Sequence, residues 1–183
     1  MGRGTVRIEF VKGETRRYRS LLHRPDGVDV EFEGGSYNKV GGPAGELPHD
    51  LAHLIVEDEL MLLHGVWGVL VAGGMFRLAT VVAGRRAPHA TRRGRALVAD
   101  ASERVRQAEV LVRAVCGVCA GEYPADPAAL ERGIGARWWS DTVTREALAR
   151  ACERLRAAGE QWARLAPGAT LEGTWPHAPV RAR

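Results

Sequence analysis

Hydrophobic and polar residues alternate at the start of the chain, as they do in a strand with one buried face. Three segments show this pattern: 6–10, 18–23 and 28–32. Gly13 and a Pro-Asp-Gly turn ending at Gly27 separate them. The pattern therefore predicts a three-stranded antiparallel meander, which a glycine-rich loop over 34–45 follows.

Helical periodicity dominates most of the remaining chain, because apolar residues recur there every three to four positions. The segments that we expect to be helical are 48–64, 65–72, 96–120, 124–132 and 144–165. Pro48 opens the first of them, where its missing N–H has no cost. Thr142 or Thr144 is a candidate cap for the last one. The helix over 48–64 is the most apolar, so we expect it to form the centre of the domain, with Leu51, Ile55 and Leu62 deepest.

The end of the chain returns to the alternating pattern. The pattern predicts a strand over 169–175 that can pair with the meander. The arginine-rich segment 84–95 is predicted to be a loop. A chain of 183 residues fits one ordinary domain. The sequence thus predicts a single α+β domain over 1–183, with a small antiparallel sheet (the N-terminal meander plus the C-terminal strand) packed on four or five helices.

Charge is distributed unevenly along the chain, although the formal net charge is only +4. No acidic residue occurs between Leu60 and Ala99, whereas six arginines do. Arginine side chains in 84–95 could bind phosphate, because a guanidinium group offers forked donors to it. A solvated loop is the alternative. The segment lacks the interleaved aromatic residues that stack on single strands, so we do not expect a nucleic-acid partner.

The cysteine content and the absence of a signal-peptide pattern predict a cytoplasmic protein. The most apolar stretch, 65–83, is interrupted by glycines and Arg77, so we expect no membrane partner. Cys116 and Cys119 form a C-x-x-C pattern at the end of a predicted helix. We expect both to be reduced and structural, and a metal or redox role is the alternative.

The predicted helix over 48–64 carries the residues with the clearest chemical potential. His49 and His53 are four residues apart and therefore share one helix face, as the two ligands of H-E-x-x-H zinc helices do. Asp50 stands where those helices carry glutamate, and it could bind the metal or activate a metal-bound water. Glu57 lies about 12 Å of helix rise beyond His49, so we assign it a catalytic or supporting role.

A complete site needs a further ligand from a distant part of the chain. The candidates are His23, His89, Cys116, Cys119 and Asp141. The alternative for the whole helix is a polar stripe that faces solvent or a partner protein.

The helix also resembles a known group of proteins. The run Leu47-Pro48-His49-Asp50-Leu51 with His53 and Glu57 resembles an uncharacterised family of small hypothetical proteins from high-GC bacteria. That resemblance implies a fold pattern and no particular activity. More loosely, His49-Asp50-x-x-His53 is similar to the zinc motif of a coenzyme Q biosynthesis protein, which adds a glutamate where this chain has Gly65.

The sequence therefore predicts a metal-assisted enzyme. Its substrate is not identified, and a small molecule is the expected class. Its metal ligands would be His49, His53 and Asp50, its catalytic residues Asp50 and Glu57, and its cofactor a divalent metal, with zinc the first choice. The alternative is a non-catalytic binding or regulatory protein, in which the helix is a solvent or docking face.

Overall fold

The computed structural model describes residues 5–33, 37–39, 46–177 and 179. In this part of the chain the strands are β1 (Val6–Lys12), β2 (Tyr18–His23), β3 (Asp29–Glu33), β4 (Tyr37–Lys39), β5 (Glu46–Pro48), β6 (Ala79–Ala83) and β7 (Thr170–Trp175). The helices are α1 (His49–Glu59), α2 (Val66–Val71), α3 (Ala90–Asp100), α4 (Ser102–Cys119), α5 (Pro127–Ile134) and α6 (Arg145–Arg164), with a 3-10 turn over Ala136–Trp138.

Five strands form one antiparallel sheet in the order β6-β3-β2-β1-β7, and β4 pairs with β5 separately. The predicted meander is confirmed, as is the pairing of the C-terminal strand with β1. The alternation in β1 works as expected, since Val6, Ile8 and Phe10 are buried and Arg7 is exposed. The α+β fold is therefore confirmed. Most of the predicted loop over 34–45 lies outside the described residues.

The helix α1 lies at the centre of the structure, packed against α2, α4, α6 and β7. This central position was predicted, but the predicted end at residue 64 is wrong. The helix stops at Glu59, and the chain turns through Met61, which has a φ of 51°. Leu62 therefore lies in a turn and is only partly buried, whereas Leu51 and Ile55 are buried as expected.

The prediction was also wrong in the arginine-rich region. Residues 90–100 form α3, and the predicted helix over 96–120 is broken at Ala101, so α3 and α4 are two helices. Of the residues in α3, only Gly94 is buried, so the segment lacks the apolar stripe by which a helix is recognised in sequence. The strand β6 was missed because it is a largely exposed edge strand without a clear alternation.

The cysteines behave differently from the prediction. Cys119 on α4 and Cys152 on α6 form a disulfide bond, so Cys119 is not reduced, while Cys116 is a buried thiol. Sequence spacing drew attention to the neighbouring pair Cys116 and Cys119, but the packing of α4 beside α6 decides the bonded pair. The Cα atoms of Cys119 and Cys152 are 5.1 Å apart, within the range that a disulfide requires.

Thr144 caps the N-terminus of α6, as the sequence suggested, and Thr144→Ala is expected to lower the free energy of unfolding by about 1 kcal/mol. Its hydroxyl oxygen accepts a hydrogen bond from the amide of Ala147 at 3.1 Å, an amide that the helix itself leaves open. Urea denaturation measures the change. Ser102→Ala is the control, because the Ser102 side chain does not cap α4. Equal losses in both variants would contradict the capping argument.

Within the described ranges, no helix is both long enough and apolar enough to cross a membrane.

Candidate metal centre

The first turns of α1 place two imidazole rings side by side. His49 begins the helix directly after Pro48, and His53 follows one turn later. Their ring centroids are 4.6 Å apart, which is the arrangement that the spacing of four residues predicts. His53 is almost fully buried, whereas the side chain of His49 keeps 34% of its exposure.

A carboxylate from α4 completes the group. The Oε2 atom of Glu109 lies 3.3 Å from Nε2 of His53 and 3.5 Å from Nε2 of His49. One ligand atom from each of the three residues lies within 4.8 Å of the others. The same carboxylate oxygen thus faces both imidazoles, and all three side chains converge on one point between α1 and α4.

Glu57 holds His53 from the opposite side. Its Oε1 atom lies 2.9 Å from Nδ1 of His53, which is one helical turn earlier. The same carboxylate accepts hydrogen bonds from the backbone amides of Val66 and Trp67 at 2.8 and 2.9 Å. Glu57 is fully buried, and these two amides begin α2. Since the amides can only donate, the carboxylate is the acceptor that joins α2 to His53.

Gly65 makes this arrangement possible. A Cβ atom at this position would lie 2.4 Å from the carboxyl carbon of Glu57 and 2.6–2.7 Å from its two oxygens. No side chain fits at that distance, so only glycine lets the chain pass close enough to bring the α2 amides to Glu57. The turn that ends α1 early is therefore the same turn that builds the support for His53.

Asp50 is buried as well, but its carboxylate is held elsewhere. The Oδ2 atom accepts a hydrogen bond from the Ser20 hydroxyl at 2.9 Å, and the backbone amide of Asp50 donates to the Tyr18 hydroxyl. Burial raises the pKa of Asp50, and the hydrogen bond from Ser20 opposes that rise. Asp50 thus ties α1 to β2, and it is not one of the three residues that converge near His53.

The electrostatics of the group reflect two carboxylates around one imidazole. Burial alone would lower the pKa of His53, but its hydrogen bonds with Glu109 and Glu57 outweigh that effect and raise the pKa to about 9. Hydrogen bonds from His49 and His53 hold the pKa of Glu109 well below its usual range. In the absence of a metal, a proton on Nε2 of His53 therefore occupies the place between the ring and Glu109.

The group opens to solvent on one side. The side chain of Glu109 retains 49% of its exposure, against 2% for His53. Solvent can reach the point of convergence past Glu109 and His49, while Glu57 and the α2 turn close the far side. An ion at this point would be held by protein on one side and would keep a coordination position open on the other.

Among the described residues, the group around His49 and His53 contains none of the five side chains that the sequence suggested as a third ligand. The residue that lies beside both histidines is Glu109, which the sequence analysis did not single out. No sequence signal marked Glu109. It is exposed, as are Arg106 and Arg113 one turn before and after it, so the pattern alone is that of an ordinary solvent-facing side of α4.

Comparisons with known proteins add no relative. No family model matches the chain, and neither the curated proteins nor the solved structures contain a significant match. The resemblances drawn from the residues of α1 therefore stay predictions.

Proposed function

We propose that this protein is a metal-assisted enzyme in which His49, His53 and Glu109 hold one divalent metal ion. The observation that carries the proposal is the convergence of Nε2 of both histidines on one carboxylate oxygen. Two imidazoles and one carboxylate form a common ligand set of catalytic zinc sites. It also occurs in non-haem iron sites.

The distances fit a metal ion. Ligands held tetrahedrally at about 2.0–2.1 Å from zinc are separated from one another by about 3.4 Å. The Nε2–Oε2 separations of 3.3 and 3.5 Å lie on either side of this value. The third separation, between ligand atoms of the two histidines, is within 4.8 Å, so the imidazole rings would have to move toward each other by up to about 1.4 Å to share one ion.

The surroundings of His53 also fit a metal ligand. Ligating histidines usually donate their second ring N–H to a carboxylate or carbonyl, which fixes the tautomer and the ring orientation. Glu57 provides such a carboxylate at Nδ1 of His53, so Nε2 is left for the ion. The carboxylate of Glu57 is already engaged with His53 and two backbone amides, so we assign it a positioning role.

Asp50 receives a different role from the one that the sequence suggested. Because its carboxylate is bonded to Ser20, we propose that Asp50 anchors the start of α1 on β2 and thereby positions both histidines. The competing function, a solvent or docking face, requires an accessible stripe on α1. The burial of Asp50, His53 and Glu57 speaks against that stripe.

The open side of the site indicates the type of chemistry. Catalytic zinc sites keep one position for water or substrate beside three protein ligands. A metal ion at such a position lowers the pKa of its bound water to about 7 and polarises a carbonyl or phosphoryl oxygen. We therefore propose metal-assisted hydrolysis of a small molecule, with the exposed edge of Glu109 and His49 facing the substrate.

Metal analysis of protein purified without a histidine tag tests the proposal. We expect about one zinc, iron or manganese ion per chain, and we expect both His53→Ala and Glu109→Gln to lose it, because each removes one of three ligands. His23→Ala is the matched control. His23 also lies between two carboxylates, Asp29 and Glu9, but it belongs to no group of three candidate ligands among the described residues.

Two results would count against the proposal in different ways. Protein that binds none of the three metals after incubation with each would exclude the metal site. The second result comes from a panel of esters, amides and phosphoesters, with the Glu109→Gln variant as the blank. Protein that binds metal but hydrolyses none of them would support the non-catalytic alternative.

A cytoplasmic location stays a prediction, and the bond between Cys119 and Cys152 provides its test. Disulfides are rare in the reducing cytoplasm. The test is to alkylate free thiols at the moment of cell lysis and to count the modified cysteines. A protein that resides in the cytoplasm should have three modified cysteines per chain. A single trapped thiol, that of Cys116, would place the protein in an oxidising compartment.

A further inference from the structure

A second feature of the molecule is a cavity of about 320 Å³ that shares no residue with the metal centre. It lies between the turn joining β2 to β3, the segment that follows α2, and one face of α3. Its charged lining residues are Arg24, Asp26, Arg86 and Arg93. Three guanidinium groups and one carboxylate leave the lining with two positive charges.

Two of these arginines have buried hydrogen-bond donors that are not satisfied. The side chain of Arg24 keeps only 10% of its exposure, and one of its terminal nitrogens contacts Asp26. Its Nε atom is buried and has no hydrogen-bond partner among the described residues. The same holds for Nη2 of Arg86. Buried polar groups are nearly always bonded to protein, water or an ion, and a charged donor left without an acceptor is costly.

The walls of the cavity are fixed by the backbone. The amide of Met75 donates a hydrogen bond to the carbonyl of Gly94 on α3 at 3.2 Å. A Cβ atom on Gly94 would lie 2.6 Å from the carbonyl oxygen of Gly73, so only glycine permits this approach of α3. The helix is therefore held against the segment after α2, and Arg93 is presented to the cavity from a rigid element.

The chemistry of the lining selects an oxyanion. Arginine is always charged, and its planar fork of donors matches the oxygens of phosphate and carboxylate groups. Two net positive charges balance a dianionic phosphate group, and a cavity of this volume lies in the range of small-molecule sites. We propose that this cavity binds the phosphate group of a small molecule, with Arg24, Arg86 and Arg93 as its donors.

Binding of inorganic phosphate and of glycerol 3-phosphate, measured by isothermal titration calorimetry in a low-salt buffer, tests this site. Both titrations are run with EDTA present and repeated with His53→Ala, so that phosphate on a metal ion does not contribute. We expect the unchanged protein and the His53→Ala variant each to bind one phosphate compound per chain, and the binding to saturate. Tighter binding of the ester would identify an organic phosphate as the ligand, and equal binding would identify free phosphate.

The neighbouring arginines of α3 provide a matched pair of variants. Arg93→Gln removes a lining residue, whereas Arg92→Gln makes the same change at an exposed position outside the cavity. We expect Arg93→Gln and Arg86→Gln each to weaken binding about tenfold or more, since each removes a charge-assisted hydrogen bond. Arg92→Gln should stay within twofold of the unchanged protein.

Arg86 forms no ion pair with a described carboxylate, so Arg86→Gln should leave the fold intact, which circular dichroism checks. Three results would overturn the proposal. They are the absence of saturable phosphate binding, equal weakening by Arg92→Gln and Arg93→Gln, and binding of an oligonucleotide while both small phosphates fail to bind.

Discussion

Glu57→Gln is expected to lower the free energy of unfolding by about 3–5 kcal/mol, the range for breaking a buried charged network. The two side chains have nearly equal volumes, so the change leaves no cavity. Glutamine, however, replaces one carboxylate oxygen by a donor. Three groups hydrogen-bond to the Glu57 carboxylate: the backbone amides of Val66 and Trp67, and Nδ1 of His53. In the variant they face one oxygen acceptor and one NH2 donor, and the position is fully buried. At least one buried donor stays without an acceptor, and α2 loses its attachment to α1.

Glu59→Gln is the control, because it makes the same chemical change two residues further along α1. Glu59 is bonded to Arg150 and Arg154, whose side chains are 57% and 41% exposed. The Glu59 side chain is only 12% exposed, but water reaches both arginines and screens the pairs, so the expected loss is smaller than at Glu57, about 1–2 kcal/mol. Urea denaturation in the presence of EDTA gives the free energy of unfolding of the unchanged protein, Glu57→Gln and Glu59→Gln without a contribution from bound metal. Losses of equal size would show that the α2 amides do not depend on Glu57.

Reduction of the bond between Cys119 and Cys152 is expected to lower the free energy of unfolding by about 4 kcal/mol. The bond closes a loop over a sequence separation of 33 residues, and the entropy that such a loop removes from the unfolded chain corresponds to about this value. It also joins α4 to α6, two of the helices that pack against α1. Loss of the bond should therefore weaken the helix layer on which the candidate metal centre depends.

Guanidinium denaturation of the oxidised and reduced protein measures this contribution, and the double variant Cys119→Ala with Cys152→Ala should match the reduced protein. Cys116→Ala is the control, since it removes a buried thiol from the same helix without opening the loop. Its midpoint should remain close to that of the oxidised protein. If reduction left the midpoint unchanged, the bond would contribute nothing to stability.

Local patterns predicted the elements whose periodicity is strong. The meander, the C-terminal strand, α2 and α6 with its Thr144 cap all follow from residues within one segment. Residues 90–95 were predicted to be a loop although they form the first part of α3, because a helix with one buried residue has no apolar stripe. The end of α1 was misplaced for another reason. The apolar pattern continues past Glu59, but the chain turns through Met61 at a positive φ, and Gly65 then packs against the carboxylate of Glu57.

The candidate site also has some features that local sequence patterns predict and others that depend on tertiary packing. The spacing of His49 and His53 alone placed both imidazoles on one helix face, because side chains four residues apart are neighbours on any α-helix. The same spacing places Glu57 one turn after His53. Only the tertiary structure brought Glu109 to the two histidines, bonded Asp50 to Ser20, and brought the α2 amides to Glu57. It likewise placed Arg24 and Arg86 in the lining of one cavity and joined Cys119 to Cys152. These arrangements connect residues from different elements, and they depend on how helices and strands pack, which no local pattern encodes.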